Sequence, residues 1–365
     1  MGSHPRWRWS VRRRVCRTAT DALGRALDAA EDASPLEAVE AVTAELSAAL
    51  EASAAFFLIA DISGRGLVRL SQASADPAGI RAELGGPGSG PRRDDDEQAA
   101  DLPVAGGGPA GEALRTQTVQ VLPPEDRGRV RLGRRWEVLA PVTERGEALG
   151  LLQLSLPHEP DAAVLSAISR VAHVLSFVVI ANRRHTDLFE WAQRSVLFTL
   201  PAEIQRRLLP AAFTCEAGAF TLSAWLEPAA SIGGDTFDYS LSRDVLHLSV
   251  TDAMGHGVAS AMTATLGVGS LRRGDRLVLV TDGMLERGAA TLDLIAEIGQ
   301  TRDLHPRETT RRLTDKVLQT CGPILADDAT LLVLDWYGGH GRNRATVAGA
   351  DPSRASAPHR TRRGG

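Results

Sequence analysis

The stretch Gly274-Asp275-Arg276-Leu277-Val278-Leu279-Val280-Thr281-Asp282-Gly283 decides how this chain is read. Its apolar run is the length of a buried strand, and it stops on an aspartate followed by a glycine, so the strand end presents a carboxylate in a turn. Three other stretches follow the same plan. Gly233-Gly234-Asp235-Thr236-Phe237-Asp238 comes after a strand expected at Phe220 to Trp225, and Asp252-Ala253-Met254-Gly255-His256-Gly257 ends a strand expected at Val245 to Val250. Asp327-Asp328-Ala329-Thr330 opens a strand expected at Leu331 to Leu334. Strand ends let a scaffold converge several carboxylates without burying them in a core. Converged carboxylates repel unless cations neutralise them. Hard divalent ions with oxygen ligands, Mg²⁺ or Mn²⁺, suit that task, and a pair of them can activate water for in-line attack on a phosphate. Any one of these motifs alone also describes a solvated turn; the four in this order are what is specific.

In the order GGDxxD, DxxGHG, TDG and DDxT, the set resembles the PPM family of metal-dependent serine/threonine protein phosphatases, in its SpoIIE-like and RsbU-like branch. Ala202-Glu203-Ile204-Gln205-Arg206-Arg207-Leu208-Leu209-Pro210 resembles the short helix that opens that catalytic domain. The resemblance implies roles by position. Asp252 would bridge two Mn²⁺ or Mg²⁺ ions, Asp235 and the backbone carbonyl of Ala253 would hold one of them, and Asp282 and Asp327 would complete the other. Asp235, Asp252, Asp282 and Asp327 are thus the catalytic set it implies, with Asp238 and Asp328 as neighbours in supporting roles or none. His256 is a proton donor or a capping residue. The implied reaction is hydrolysis of phosphoserine or phosphothreonine on a regulatory protein, a phosphorylated STAS-type anti-sigma factor antagonist, in bacterial signal transduction that regulates a sigma factor.

The resemblance breaks between the second and third motifs. Ala261 to Val268 reads as a helix, Gly269-Ser270-Leu271-Arg272-Arg273 spans a join, and Gly274 already opens the next strand. Relatives carry further helices and strands at this point. A shortened PPM-type αββα sandwich is therefore expected over 202–337. The alternative is a catalytically impaired interaction or scaffold protein that binds the regulator through a degenerate phosphatase domain.

Upstream, Ser34 and Pro35 suit the start of a helix running to Glu51, with Leu36, Val39, Val42, Leu46 and Leu50 on one face. Strands follow at Ala55 to Asp61 and Leu67 to Ser71, and a Gly/Pro-rich loop at Asp76 to Gly108. A short helix at Gly111 to Thr116, a strand at Val119 to Leu122 and a hairpin, Trp136 to Thr143 and Ala148 to Leu156, complete the sheet. A helical pattern then runs from Asp161 to about Phe198. This order, with Gly150-Leu151-Leu152-Gln153-Leu154 as its last strand, resembles a GAF domain. The resemblance implies a sensor that binds a small molecule or a protein, or a packing domain without a ligand. The expected fold class is α+β: a basic leader (1–20), a GAF-like α/β/α sensor domain (21–182), a helical connector (183–201) that seams a homodimer, the shortened phosphatase domain (202–337), and a disordered basic tail (338–365).

Composition narrows the partners. A net charge of −4 over 365 residues gives no overall field for nucleic acid. Cys16, Cys215 and Cys321 are odd in number and lack metal-site spacing, which points to a reducing, cytoplasmic setting. No uninterrupted apolar run reaches membrane-spanning length, Val174 to Ala181 being the best, so no transmembrane segment is expected.

Overall fold

Ala54–Ala60, strand β1, is apolar at every position and buried along its whole length, which fits a strand covered on both faces. The computed structural model describes residues 23–61, 66–74, 102–103, 108–124, 135–193, 209–227, 235–241, 245–251, 274–285, 292–321, 325, 328–338 and 349–350. In it β1 lies inside a six-stranded antiparallel sheet of order β3-β2-β1-β6-β5-β4. The other members are β2 (Gly66–Ser74), β3 (Leu102–Pro103), β4 (Gln120–Leu122), β5 (Trp136–Glu144) and β6 (Glu147–Leu156). β3 falls within the stretch that the sequence marks as loop.

The two faces of this sheet have separate cores. Ala55, Phe57 and Ile59 pack with helices α2 (Ala38–Leu50) and α4 (Ala162–Asn182), through Val42, Leu46, Ile168, Val171 and Leu175. Leu58 and Ala60 face the other way, with Leu67, Leu139 and Leu151, under helix α3 (Pro109–Thr116) and its Ala113 and Leu114. Asp161 caps α4 by accepting the backbone N–H groups of Ala163 and Val164. α4 is long and apolar enough to cross a membrane by length and composition, against the expectation from uninterrupted runs; Ser, Arg and His interrupt its apolar stretches. Half of its most apolar window is buried against this core.

Three expectations need correction. The first helix is preceded by another, α1 (23–32), and α2 starts at Ala38, because Ser34 to Glu37 form a turn in which Ser34 Oγ donates to Glu37 Oε2 at 2.8 Å. Leu36 is consequently 58% exposed and no part of the buried face. The helix from Asp161 does not run on to Phe198. It ends at Asn182, turns, and resumes as the short α5 (Leu188–Ala192). The turn lets Phe189 and Ala192 fold back into the N-terminal core, where Phe189 is fully buried, and Gln193 Nε2 donates to Ala60 O. The rigid connector over 183–201, and the dimer seam drawn along it, therefore do not form as one helix; 194–208 lie outside the described residues. The tail is not wholly detached: Ala350 is buried, and Gly349 O accepts the N–H of Gly146.

In the C-terminal domain, β12 (Ala329–Trp336) sits inside a four-stranded antiparallel sheet of order β11-β12-β8-β7, with β7 (Thr214–Glu216), β8 (Phe220–Glu227) and β11 (Arg276–Val280). Its residues alternate. Ala329, Leu331 and Val333 pack with Leu313 and Val317 of helix α7 (Pro306–Cys321) and Leu294 of α6 (Leu294–Gln300). Leu332 and Leu334 pack on the opposite side against Phe237 and Val250 of a separate hairpin, β9 (Thr236–Leu241) with β10 (Leu246–Thr251). Among the described residues this gives three layers, helix on sheet on sheet, of the four expected. The helix expected at Ala261 to Val268 and the join at 269–273 lie outside them.

The domains meet at the β5–β6 turn, where β7 and the start of α7 lie against Arg145 and Gly146. His305 is buried here and faces Glu216, Arg307 and Glu308. Its Nδ1 accepts the Arg307 N–H at 3.1 Å, which leaves Nε2 to donate to Glu216 Oε1 at 3.2 Å. Burial holds the ring below the ordinary histidine value of 6.5, in the neutral form that these partners fit.

Two outcomes follow. Phe189→Ala will lower the stability of the N-terminal domain by about 3–5 kcal/mol in urea denaturation; a loss under about 1 kcal/mol would mean that α5 is not docked. Because the unfolded chain takes up a proton that folded His305 refuses, this contribution is complete above pH 6.5 and is lost as the pH falls below it. Stability compared between about pH 7.5 and about pH 5.5 will fall more steeply in the wild type than in His305→Gln. Equal slopes contradict the neutral assignment.

Candidate functional site

Three strand ends build the site. β11 stops at Val280 and passes through Thr281 into a single 3-10 turn, Asp282–Leu285. β12 begins at Ala329, just after Asp328, and β9 begins just after Asp235. The pairing of Val280 with Leu331 sets Thr281 beside Thr330, and the Thr281 N–H donates to Thr330 O at 3.1 Å. In return the Thr330 N–H donates to Thr281 Oγ1 at 2.9 Å.

Asp235 is 3% exposed, and its Oδ2 accepts both threonine hydroxyls, Thr281 Oγ1 at 2.5 Å and Thr330 Oγ1 at 2.8 Å. Its backbone N–H donates to Asp328 Oδ2 at 3.3 Å, and Asp328 is itself buried. Hydrogen-bond donors offset the desolvation of a buried carboxylate. With Oδ2 held from two sides, the rotation of the Asp235 carboxylate is fixed. Gly283 brings the third strand end close: a Cβ on it would sit 2.0 Å from Asp328 O, a contact that only glycine avoids. Asp282, between Thr281 and Gly283, is exposed, so it stands toward solvent beside the two buried acids.

Of the residues that the sequence marks, Asp235 and Asp282 are delivered to this one place. Asp252, Ala253, Asp327 and His256 lie outside the described residues. Among the described residues no group of three His, Cys, Asp or Glu side chains meets at metal-ligand spacing. Asp238, in the exposed part of β9, bonds its own chain at Tyr239 N and takes no part. Asp328 does take part, as the acceptor for Asp235 N–H. Sequence reasoning missed Thr281 and Thr330, although both stand inside the motifs. The available signal was a β-branched hydroxyl beside a strand-end aspartate in each of two motifs whose strands pair. The donors present are all oxygen and include buried carboxylate, which fits a hard divalent cation and not a soft one.

Residues 268–337 match the family model for stage II sporulation protein E, SpoIIE. The chain combines a GAF-like domain with a SpoIIE-type domain. The matched segment contains β11, Thr281-Asp282-Gly283, α6, α7, Asp328 and β12, so most of the constellation lies within it. On the GAF-like side the chain is similar to the GAF domain of a phosphoenolpyruvate-protein phosphotransferase from Coxiella burnetii, at 16% identity and a TM-score of 0.37, covering 46% of this chain and 96% of that one. It is also similar to the GAF domain of the Acinetobacter phosphoenolpyruvate-protein phosphotransferase, at 14% identity and a TM-score of 0.36, covering 46% and 95%. A third similar structure is free methionine-R-sulfoxide reductase from Neisseria meningitidis, at 16% identity and a TM-score of 0.36, covering 47% and 93%. No curated protein matches the chain.

Thr281→Val keeps the shape but removes the donor to Asp235 and the acceptor for Thr330 N–H. It will cost the SpoIIE-type domain about 1.5–3 kcal/mol in urea denaturation, the usual worth of a hydrogen bond to a charged group, while Thr281→Ser stays near wild type. A Thr281→Val protein as stable as the parent contradicts the arrangement.

Proposed function

We propose that the chain is a metal-dependent protein phosphatase acting on phosphoserine or phosphothreonine, with the GAF-like domain as its sensor. The observation that carries this reading is the Asp235 carboxylate, buried and locked by Thr281 and Thr330 beside the exposed Asp282. A buried acid held in one orientation costs stability, and that cost is expected where a fixed ligand is needed. The SpoIIE match over β11 and β12, which carry Thr281, Asp282 and Thr330, supports the assignment.

Asp235, Asp252, Asp282 and Asp327, with the carbonyl of Ala253, would hold Mg²⁺ or Mn²⁺. When bound, such ions lower the pKa of a water and neutralise phosphate oxygens. The chain's own part is geometric. Thr281 and Thr330 fix which oxygen of Asp235 points away from the strands, and the Gly283 turn sets Asp282 against the β12 entrance. No side-chain nucleophile is required. The substrate we propose is a phosphorylated STAS-type anti-sigma factor antagonist in bacterial signalling, an exposed phosphoresidue on a folded protein.

A second reading, an interaction protein that binds the regulator without hydrolysing it, is favoured by the short link between Thr251 and Arg276, which leaves little chain for the remaining layer.

The test is phosphate release from a phosphoserine or phosphothreonine protein with Mn²⁺ or Mg²⁺. The expected result is turnover that chelation abolishes and that Asp282→Asn lowers by about 100-fold or more. Folded protein that binds the phosphoprotein but releases no phosphate with either ion rejects the phosphatase and leaves the interaction protein.

A further inference from the structure

Among the described residues, the joint between the two domains is built from backbone groups and buried polar side chains. Arg307, the second residue of α7, is its centre, with a side chain 15% exposed. One terminal nitrogen donates to Gly146 O at 2.9 Å, at the tip of the β5–β6 hairpin. The other donates to Leu114 O at 2.9 Å and Arg115 O at 3.2 Å, in the last turn of α3. A guanidinium there satisfies carbonyls that the helix leaves open and sits at the negative end of its dipole. Gln117, which ends α3 with a φ of 54°, donates Nε2 to the same Gly146 O at 2.8 Å. The Glu216 N–H donates to Arg145 O at 2.7 Å, so the edge strand β7 is bonded to the hairpin as well. Gly146 has a φ of +78°, and a Cβ on it would strike the Glu216 side chain at 2.7 Å.

α3 is the helix that covers the second face of the sensor sheet, through Ala113 and Leu114. The carbonyls that Arg307 holds belong to the last turn of this same helix. On the other side, α7 is tied to the strands of the site. Thr310 Oγ1 is 3.4 Å from Ser223 Oγ on β8. Arg276, at the start of β11, donates to Thr309 Oγ1 at 2.8 Å, to Thr301 O at 2.7 Å and to Leu304 O at 2.6 Å, and it clasps Asp335 of β12 with two bonds. Thr281 and Asp282 follow directly on the far end of that same β11.

We propose that this joint is a latch through which the GAF-like domain controls order at the aspartate site, with Arg307 as the coupling residue between α3 and the β11 and β12 strand ends. The inference rests on the phosphatase reading only for what the site does. Its direction follows from the contacts: with the latch closed, α7 holds β11 and β12 in register, and with it open, the Thr281 and Thr330 bonds to Asp235 loosen.

Hydrogen exchange on the full chain, without substrate or metal, tests the latch even if the chain hydrolyses nothing. Arg307→Ala is expected to speed exchange at the Glu216 amide and, on the order of tenfold, at the Thr281 and Thr330 amides beyond α7. Arg307→Lys, which keeps the charge but not the fork that spans three carbonyls, is expected to move the same amides in the same direction and serves where the alanine variant does not fold. A faster Glu216 amide with unchanged Thr281 and Thr330 amides in the folded variant means that Arg307 is glue between domains and not a coupler, and overturns the proposal.

Discussion

Two carboxylates, Asp235 and Asp328, are buried at the entrances of β9 and β12, strands of two sheets packed face to face, and the SpoIIE-type domain is arranged around keeping them there. A buried acid without donors is expensive, because the charge is then desolvated with nothing to offset it. Here the donors come from the backbone pairing itself. Thr281 and Thr330 are brought together by the β11–β12 ladder, bond each other's backbone groups, and then both turn their hydroxyls to Asp235 Oδ2. Strand register and carboxylate orientation are one constraint. A slip of one residue would turn both threonines to the other face and leave the acid unmet.

The GAF-like domain meets this arrangement through a polar joint. Backbone carbonyls of Leu114, Arg115 and Gly146 receive one guanidinium, and β7 bonds to the hairpin through Glu216 N–H. Hydrogen bonds of this kind have strict geometry, so a small displacement of α3 changes their strength more than it would change an apolar contact of the same extent. A neutral His305 between Glu216 and Arg307 adds to the same joint.

Much of the fold was legible because the apolar runs are unambiguous. β11 fell at the residues expected, and β1, β5 and β6 within a residue or two. The misses have physical causes. Periodicity continued past Asn182, but Phe189 and Ala192 gain more burial by folding back than by extending an exposed helix. β7 and β9 are short or mostly exposed, so they lack a clear apolar pattern. At the site, the aspartates advertised themselves by their glycines. The threonines that hold Asp235 did not, because their role depends on a pairing between segments about fifty residues apart, which no local pattern encodes. Arg307 was invisible for the same reason, since its partners lie in the other domain.

We propose that these strand ends form one cation site. Paramagnetic broadening by Mn²⁺, followed at backbone amides of the full chain, reads that directly. The account predicts that amides of Asp235, Thr281, Asp282 and Thr330 lose intensity first and together, and that Mg²⁺ in excess restores them. Broadening spread evenly over the acidic surface, with these four no more sensitive than the rest, would contradict it.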